Sequence, residues 1–370
     1  MLDHGSSASP AIIGGVSEIS QPGAGGAPNA WRGSPWLPPG GTHHGGRLRD
    51  AATQYDIPLA DWLDLSTGIN PQAWPVPALP AEIWQRLPEA GDGLETAAAA
   101  YYANDNLLPV AGSQAAIQLL PTLLPRAAVA CISPLYSEHP QAWQRAGHKV
   151  RFLQNALLPR VLAAATPYVL LCNPNNPTAD RHPRELVLDA AAQLKKRGGH
   201  LIVDEAFIDP TPEQSVTPLA GTAEAPNLIV LRSLGKFFGL AGARVGFLFA
   251  GRELLGRLSE SLGPWSVSGP GRAVARLALQ DASWQGAARQ RLSVDSERLR
   301  QLLAPHGEVR VTALFATLTS AQAGELHDHL ARRGILTRRF DQQPLLRCGL
   351  PGDETGWQRL TTALTDWKYA

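Results

Sequence analysis

Apolar residues along this chain gather in short, near-continuous runs separated by stretches with helical spacing. The runs fall near 128–133, 149–153, 168–172, 200–204, 227–231 and 245–250. Such runs read as strands buried on both faces, and the segments between them, such as Arg184 to Lys196, as covering helices. From about residue 265 the pattern changes. Helical patterns over 270–280 and 283–304 lead to strand-like runs at 308–319 and 335–338, with a helix at 321–333 between them. A strand at 344–348 and a helix at 353–368 close the chain. Strand–helix alternation followed by a mixed pattern predicts an α/β large domain with a mostly parallel sheet over 81–264. A smaller C-terminal α+β domain follows over 265–370. Residues 1–42 are rich in Gly, Ala, Ser and Pro and lack periodicity. They bury too little apolar surface to offset their ordering entropy, so a disordered extension without chemistry is expected there.

Composition narrows the function. A chain of 370 residues buries a large core and commonly forms two domains. Its net charge of +1 gives no basis for a nucleic-acid or membrane surface. Cys131, Cys172 and Cys348 lie far apart, with neither metal-ligand spacing nor a disulfide pattern. No metal is expected, and a reducing cytoplasm is. No apolar run has the length of a membrane span. The first residues lack a basic region followed by an apolar core, so a secretory signal is not expected.

The candidate chemistry lies just after three of the strands. Asp204 ends the run Leu201-Ile202-Val203. Asn176 follows Tyr168–Cys172, within Cys172-Asn173-Pro174-Asn175-Asn176-Pro177-Thr178. Lys236 follows Asn227–Leu231, within Arg232-Ser233-Leu234-Gly235-Lys236. Ligands of α/β sheets bind at the carboxyl ends of the strands. Singly, these residues are as well explained as a helix cap, a turn and a solvated lysine. A further helical run opens at Gly112-Ser113-Gln114, where free backbone N–H groups and a hydroxyl suit a phosphate.

Taken together, their order and spacing resemble fold-type I pyridoxal-phosphate (PLP) enzymes, the aspartate aminotransferase-like fold. The nearest likeness is to the histidinol-phosphate aminotransferase branch. The resemblance implies that Lys236 carries PLP. Asp204 keeps the pyridine nitrogen protonated, because an opposite charge favours the charged form. Asn176 donates to the ring's phenolic oxygen, and Tyr136 stacks on the ring. The phosphate is then held by Gly112, Ser113, Gln114, Ser233 and Arg244. Arg347, a charge within the apolar strand Leu345-Leu346-Arg347-Cys348, matches the arginine that binds a substrate carboxylate; its plainer reading is a structural ion pair. The arm 43–80 is expected to pack on the small domain. A homodimer with the active site at its interface is expected as well.

Four positions depart from the aminotransferase pattern: Gly235 for a Ser or Thr, Ala179 for a Gly, Phe207 for a Tyr, and Leu87 for a Tyr that reaches the neighbouring subunit. Several further segments resemble the threonine-phosphate decarboxylases of cobalamin biosynthesis. They are His44-Gly45-Gly46, Leu65-Ser66-Thr67-Gly68-Ile69-Asn70-Pro71, Pro264-Trp265-Ser266-Val267 and Ala278-Leu279-Gln280-Asp281. In that subfamily Phe207 is the usual residue. The resemblance implies decarboxylation of L-threonine O-3-phosphate, with His44, Asn70 and Arg338 as candidates for the substrate phosphate. Three rivals remain: an aminotransferase acting on a substrate such as histidinol phosphate, a non-catalytic regulator, and a decayed scaffold. The Gly/Pro-rich first residues cannot form the helix-turn-helix that such a regulator carries, and the retained Lys236, Asp204, Asn176, Tyr136 and Arg244 oppose decay.

Overall fold

Continuous apolar runs dictate the centre of the structure. It is a computed structural model describing residues 44–154, 166–340 and 343–367; the expected extension over 1–42 lies outside the described residues. The large sheet has seven strands. They are β2 (Leu107–Val110), β3 (Ala128–Ser133), β4 (Lys149–Gln154), β5 (Tyr168–Cys172), β6 (His200–Asp204), β7 (Leu228–Ser233) and β8 (Gly246–Phe249). Their order is β2-β8-β7-β6-β5-β3-β4. Strands β4, β3, β5, β6 and β7 run parallel, and β8 pairs antiparallel with both β7 and β2. Alternate residues of the central strands serve opposite faces. Leu171, Val203 and Val230 join one apolar cluster, while Leu170, Ile202 and Ile229 join the other. That two-sided burial explains why these strands lack polar alternation in the sequence.

A four-stranded antiparallel sheet forms from β9 (Glu308–Val311), β10 (Phe315–Thr319), β12 (Arg338–Phe340) and β13 (Leu345–Gly349), in the order β12-β13-β10-β9. The run expected as one strand over 308–319 is two. The Thr312 hydroxyl accepts from the N–H groups of Leu314 and Phe315, both at 3.1 Å, and reverses the chain. A hydroxyl two residues before a turn competes with ladder hydrogen bonds in this way. Helix Ala282–Leu303 contacts this sheet. Helix Gly269–Gln280 instead packs on helix Leu94–Tyr102 beside the large sheet, where Arg272 holds both Asp92 and Glu95. One apolar cluster runs from Val203 and Val230 to Phe315 and Leu346, so the two sheets share a core.

The arm ties both parts together. Its short strand β1 (Leu63–Asp64) pairs parallel with β11 (Ile335–Leu336). Further on, the Asn70 and Trp74 N–H groups donate to the Lys236 and Phe238 carbonyls at 2.9 Å. The arm therefore fixes the lysine loop through its backbone.

Candidate active site

The carboxyl ends of β5, β6 and β7 open into a cavity of about 290 Å³. All the sequence-predicted site residues line it except Gly112 and Asn70. Pairing of Cys172 with Asp204 across β5 and β6 sets the depth of its floor. Asp204 is buried, and its two oxygens have separate partners. Oδ1 accepts from the Ala206 N–H at 3.0 Å, and Oδ2 lies 2.8 Å from His139 Nε2. His139 is itself only 2 % exposed, so this is an internal pair shielded from water. It was not anticipated from the sequence. The signal was the spacing Tyr136-Ser137-Glu138-His139, which brings a ring and an imidazole to the same side of a helix start.

Lys236 Nζ lies 5.7 Å from the Phe207 ring centroid. Burial, followed by the positive charge of Arg347, pulls its ammonium down to about 8. The neutral amine, the form a lysine nucleophile requires, therefore becomes available closer to neutral pH than it does for an ordinary lysine. The departure at Gly235 has a steric cause. A Cβ there would sit 2.9 Å from Ala241 Cα, so the lysine loop closes only around glycine.

At one side of the cavity, helix Ser113–Leu123 begins at Gly112, whose φ is +70°. A Cβ on Gly112 would meet Arg244 Nη2 at 2.6 Å, so the guanidinium crosses directly over the helix start. Arg244 donates to the Ala241 carbonyl, and no carboxylate among the described residues pairs with it. Free helix N–H groups, an arginine without an acid and the Ser233 hydroxyl make a cradle for a phosphate. Tyr136 lies beside it, with its hydroxyl donating to Gln114 Oε1 at 3.3 Å. Burial, reinforced by the charges of Glu138 and Asp204, raises that phenol to about 12 and keeps it neutral.

Arg347 is 4 % exposed. Its Nη1 donates to Asn176 Oδ1 at 2.6 Å and its Nη2 to the Ser66 carbonyl at 2.7 Å. Arginine only donates, so Asn176 must turn its oxygen to Arg347, which leaves its NH₂ as the donor for the cavity. Nε of Arg347 is buried with no partner, and no carboxylate among the described residues forms an ion pair with the side chain. The structural ion-pair reading of Arg347 therefore lacks a partner. Burial, then the charge of Arg338, draws its pKa down to about 9, still a cation at neutral pH. Arg338 lies opposite on β12, also with Nε buried and without a partner.

His44 borders the cavity with Nε2 at 2.7 Å from Glu138 Oε1. Asn70 is placed differently from what the sequence suggested. Its amide donates to the Phe237 carbonyl at 2.8 Å, and its oxygen accepts from Gln72 N–H and Arg291. The side chain is occupied in bracing the lysine loop and does not line the cavity.

These residues fit PLP on the chemistry of their donors. There is a phosphate cradle of the right charge, a buried carboxylate for a pyridinium, an amide donor and a lysine with a lowered pKa. The sequence pattern of the aminotransferase class I and II family matches residues 63–369. A threonine-phosphate decarboxylase of Pseudomonas aeruginosa is 52% identical over 88% of this chain and 98% of its own length. A second, from a Sinorhizobium species, is 41% identical over 87% of this chain and 97% of its own. Among solved structures, the L-threonine-O-3-phosphate decarboxylase from Porphyromonas gingivalis superposes with a TM-score of 0.65. It is 19% identical and covers 81% of this chain and 98% of its own. The histidinol-phosphate aminotransferase from Sinorhizobium meliloti, in complex with pyridoxal-5'-phosphate, superposes with a TM-score of 0.73. It is 20% identical and covers 85% and 93%. The two structural likenesses show the shared fold.

Proposed function

This chain belongs to the aminotransferase class I and II family, and from that membership we propose that it is a PLP-dependent decarboxylase of L-threonine O-3-phosphate. The products are CO₂ and (R)-1-amino-2-propanol O-2-phosphate, the aminopropanol unit of the cobalamin side chain. The observation that carries this reading is the 52% identity to a threonine-phosphate decarboxylase over nearly all of that relative. The two arginines without carboxylate partners support it, because the substrate brings two anions.

When bound through Lys236, PLP supplies a conjugated, protonated ring that accepts the electron pair of a breaking bond at Cα. Asp204, held by His139 and the Ala206 N–H, would keep the cofactor's ring nitrogen protonated. Asn176, with its NH₂ turned to the cavity, would donate to the cofactor's phenolic oxygen, and Tyr136 would pack against its ring. Ser113, Ser233 and Arg244, with the backbone at Gly112 and Gln114, hold the cofactor phosphate. Arg347 binds the substrate carboxylate, and Arg338 with His44 binds the substrate phosphate. Two anchors on one small molecule would fix its orientation at the site, with the carboxylate held at Arg347 and the phosphate at Arg338. Binding energy at the remote phosphate is thereby used to orient the reacting bond. Lys236, once displaced by the substrate amine and protonated as its ammonium, would be the general acid that returns a proton to Cα.

The active unit is a homodimer in the cytoplasm. Among the described residues no helix is long and apolar enough to cross a membrane. The large apolar side chains of Trp84 and Leu87, 68 % and 61 % exposed, suit burial against a second copy.

The test supplies threonine phosphate to the holoenzyme and measures CO₂ and aminopropanol phosphate. Turnover without a keto acid supports the proposal. Conversion of the cofactor to pyridoxamine phosphate by histidinol phosphate, without CO₂, would replace it with the aminotransferase reading.

A further inference from the structure

One carboxylate near the cavity has no place in the chemistry above. Glu138 opens helix Glu138–Arg145, two residues beyond Tyr136, and its side chain is 14 % exposed. Both of its oxygens are engaged. Oε1 lies 2.7 Å from His44 Nε2. Oε2 accepts from Gln114 Nε2 at 2.8 Å and from Gln118 Nε2 at 3.0 Å.

Groups with a single hydrogen-bonding role fix the direction of this network. Arg145 only donates and holds Gln118 Oε1, so the Gln118 NH₂ must face Glu138. Gln114 Nε2 donates to the same carboxyl oxygen, which leaves Gln114 Oε1 to accept from the Tyr136 hydroxyl. Oε2 of Glu138 thus accepts from two NH₂ groups, and Oε1 is left for His44 Nε2. Glu138 thus holds three things at once: the imidazole on the arm, the residue beside the cofactor-phosphate cradle, and through Gln114 the ring-stacking tyrosine. The His44 and Tyr136 rings are 5.5 Å apart, so the imidazole sits over the same space that Tyr136 borders.

We propose that Glu138 is a positioning residue for recognition of the substrate phosphate, fixing the His44 imidazole at the cavity in register with Gln114 and Tyr136. The inference rests on the decarboxylase reading for the identity of the phosphate. A free carboxylate at this place would repel a phosphate dianion. Bound on both oxygens, its charge is directed into donors while the arm is held closed on the site. Glutamine at this position has one acceptor oxygen and no charge, so its NH₂ would either oppose the two glutamine NH₂ groups or take the place of the oxygen that faces His44.

The test measures binding of inorganic phosphate and, separately, of L-threonine to the holoenzyme by titration calorimetry, which does not depend on turnover. Glu138→Gln is expected to weaken phosphate roughly tenfold, the weight of one charge-assisted hydrogen bond. L-threonine, which uses only the carboxylate end, should bind unchanged. His44→Ala should match it, and the double variant should be no weaker than His44→Ala, because the two act as one unit. Glu138→Asp, which keeps the charge, should recover part of the loss. Three results would overturn the proposal: a phosphate affinity in Glu138→Gln within twofold of wild type, a parallel loss of L-threonine, or effects that multiply in the double variant. Absence of CO₂ release by wild type would instead remove the decarboxylase reading while leaving the Glu138–His44 coupling measurable.

Discussion

Arg338 and Arg347 stand directly opposite each other on the antiparallel strands β12 and β13, and no carboxylate among the described residues pairs with either. Like charges opposed across a ladder destabilise a sheet unless something neutralises them. Here the two side chains also line the same cavity. The pair is therefore a standing cost to the fold that a bound anion would offset.

A stability test follows from that relationship. Arg338→Met keeps the apolar stem and removes one charge. In phosphate-free buffer it should leave the fold as stable as wild type or more so, by about 0.5–1 kcal/mol. Added phosphate or sulfate should raise the melting temperature of wild type more than that of the variant. Turnover of threonine phosphate should fall roughly 100-fold, the loss of a charge-assisted contact. A variant that melts several degrees lower would mean that Arg338 is a structural residue.

The lowered pKa of Lys236 predicts a pH dependence for cofactor uptake by the apoprotein. The side chain is a cation below about 8 and a neutral amine above it. Only the amine reacts with the cofactor's carbonyl. Uptake, read as growth of visible absorbance, should rise as pH increases through about 8 and then level off. An ordinary lysine would keep rising towards 10.5. The same depression means that the unfolded chain takes up a proton first as pH falls from 10.5 to 8, so this group's share of apoprotein stability is lost over that window. Lys236→Ala should remove both the uptake and the turnover.

The buried Asp204–His139 pair predicts an order of effects. Asp204→Asn removes the charge itself and should lower turnover on the order of 10³-fold. His139→Ala removes one hydrogen bond to that charge and should lower it about 10–100-fold. Because His139 acts through Asp204, the double variant should be no slower than Asp204→Asn alone. Equal losses that multiply in the double variant would show two independent roles.

The assembly proposal is tested at the exposed apolar surface. Trp84→Glu should shift the protein from dimer to monomer at micromolar concentration, measured by light scattering after gel filtration, and should lower turnover with it. A variant that stays dimeric and fully active would place the interface elsewhere.

Much of this site was legible in the sequence because its chemistry is local. A strand end followed by a particular polar residue places that residue at the carboxyl edge of a sheet, wherever the strand lies. The place of Asp204, Asn176 and Lys236 at that edge could therefore be read from runs such as Leu201-Ile202-Val203 before any pairing was known. Gly112 was read from a helix start, while Arg244 and the roles of all these residues came from the family resemblance. What the sequence could not determine is every relationship that depends on register or on a distant partner. Asn70 reads as a candidate anion ligand until the lysine loop folds back and its side chain is used on Phe237. His139 reads as an ordinary helix residue until β6 brings Asp204 to it. Thr312 ends one strand and begins a turn only because its hydroxyl outcompetes the ladder. Arg338 and Arg347 face each other only because β12 and β13 pair in one register, and a slip by a single residue would turn one of them to the opposite face. Hydrophobic pattern specifies which side of an element is buried. Partners across the core are chosen only when long-range packing fixes how the elements are aligned.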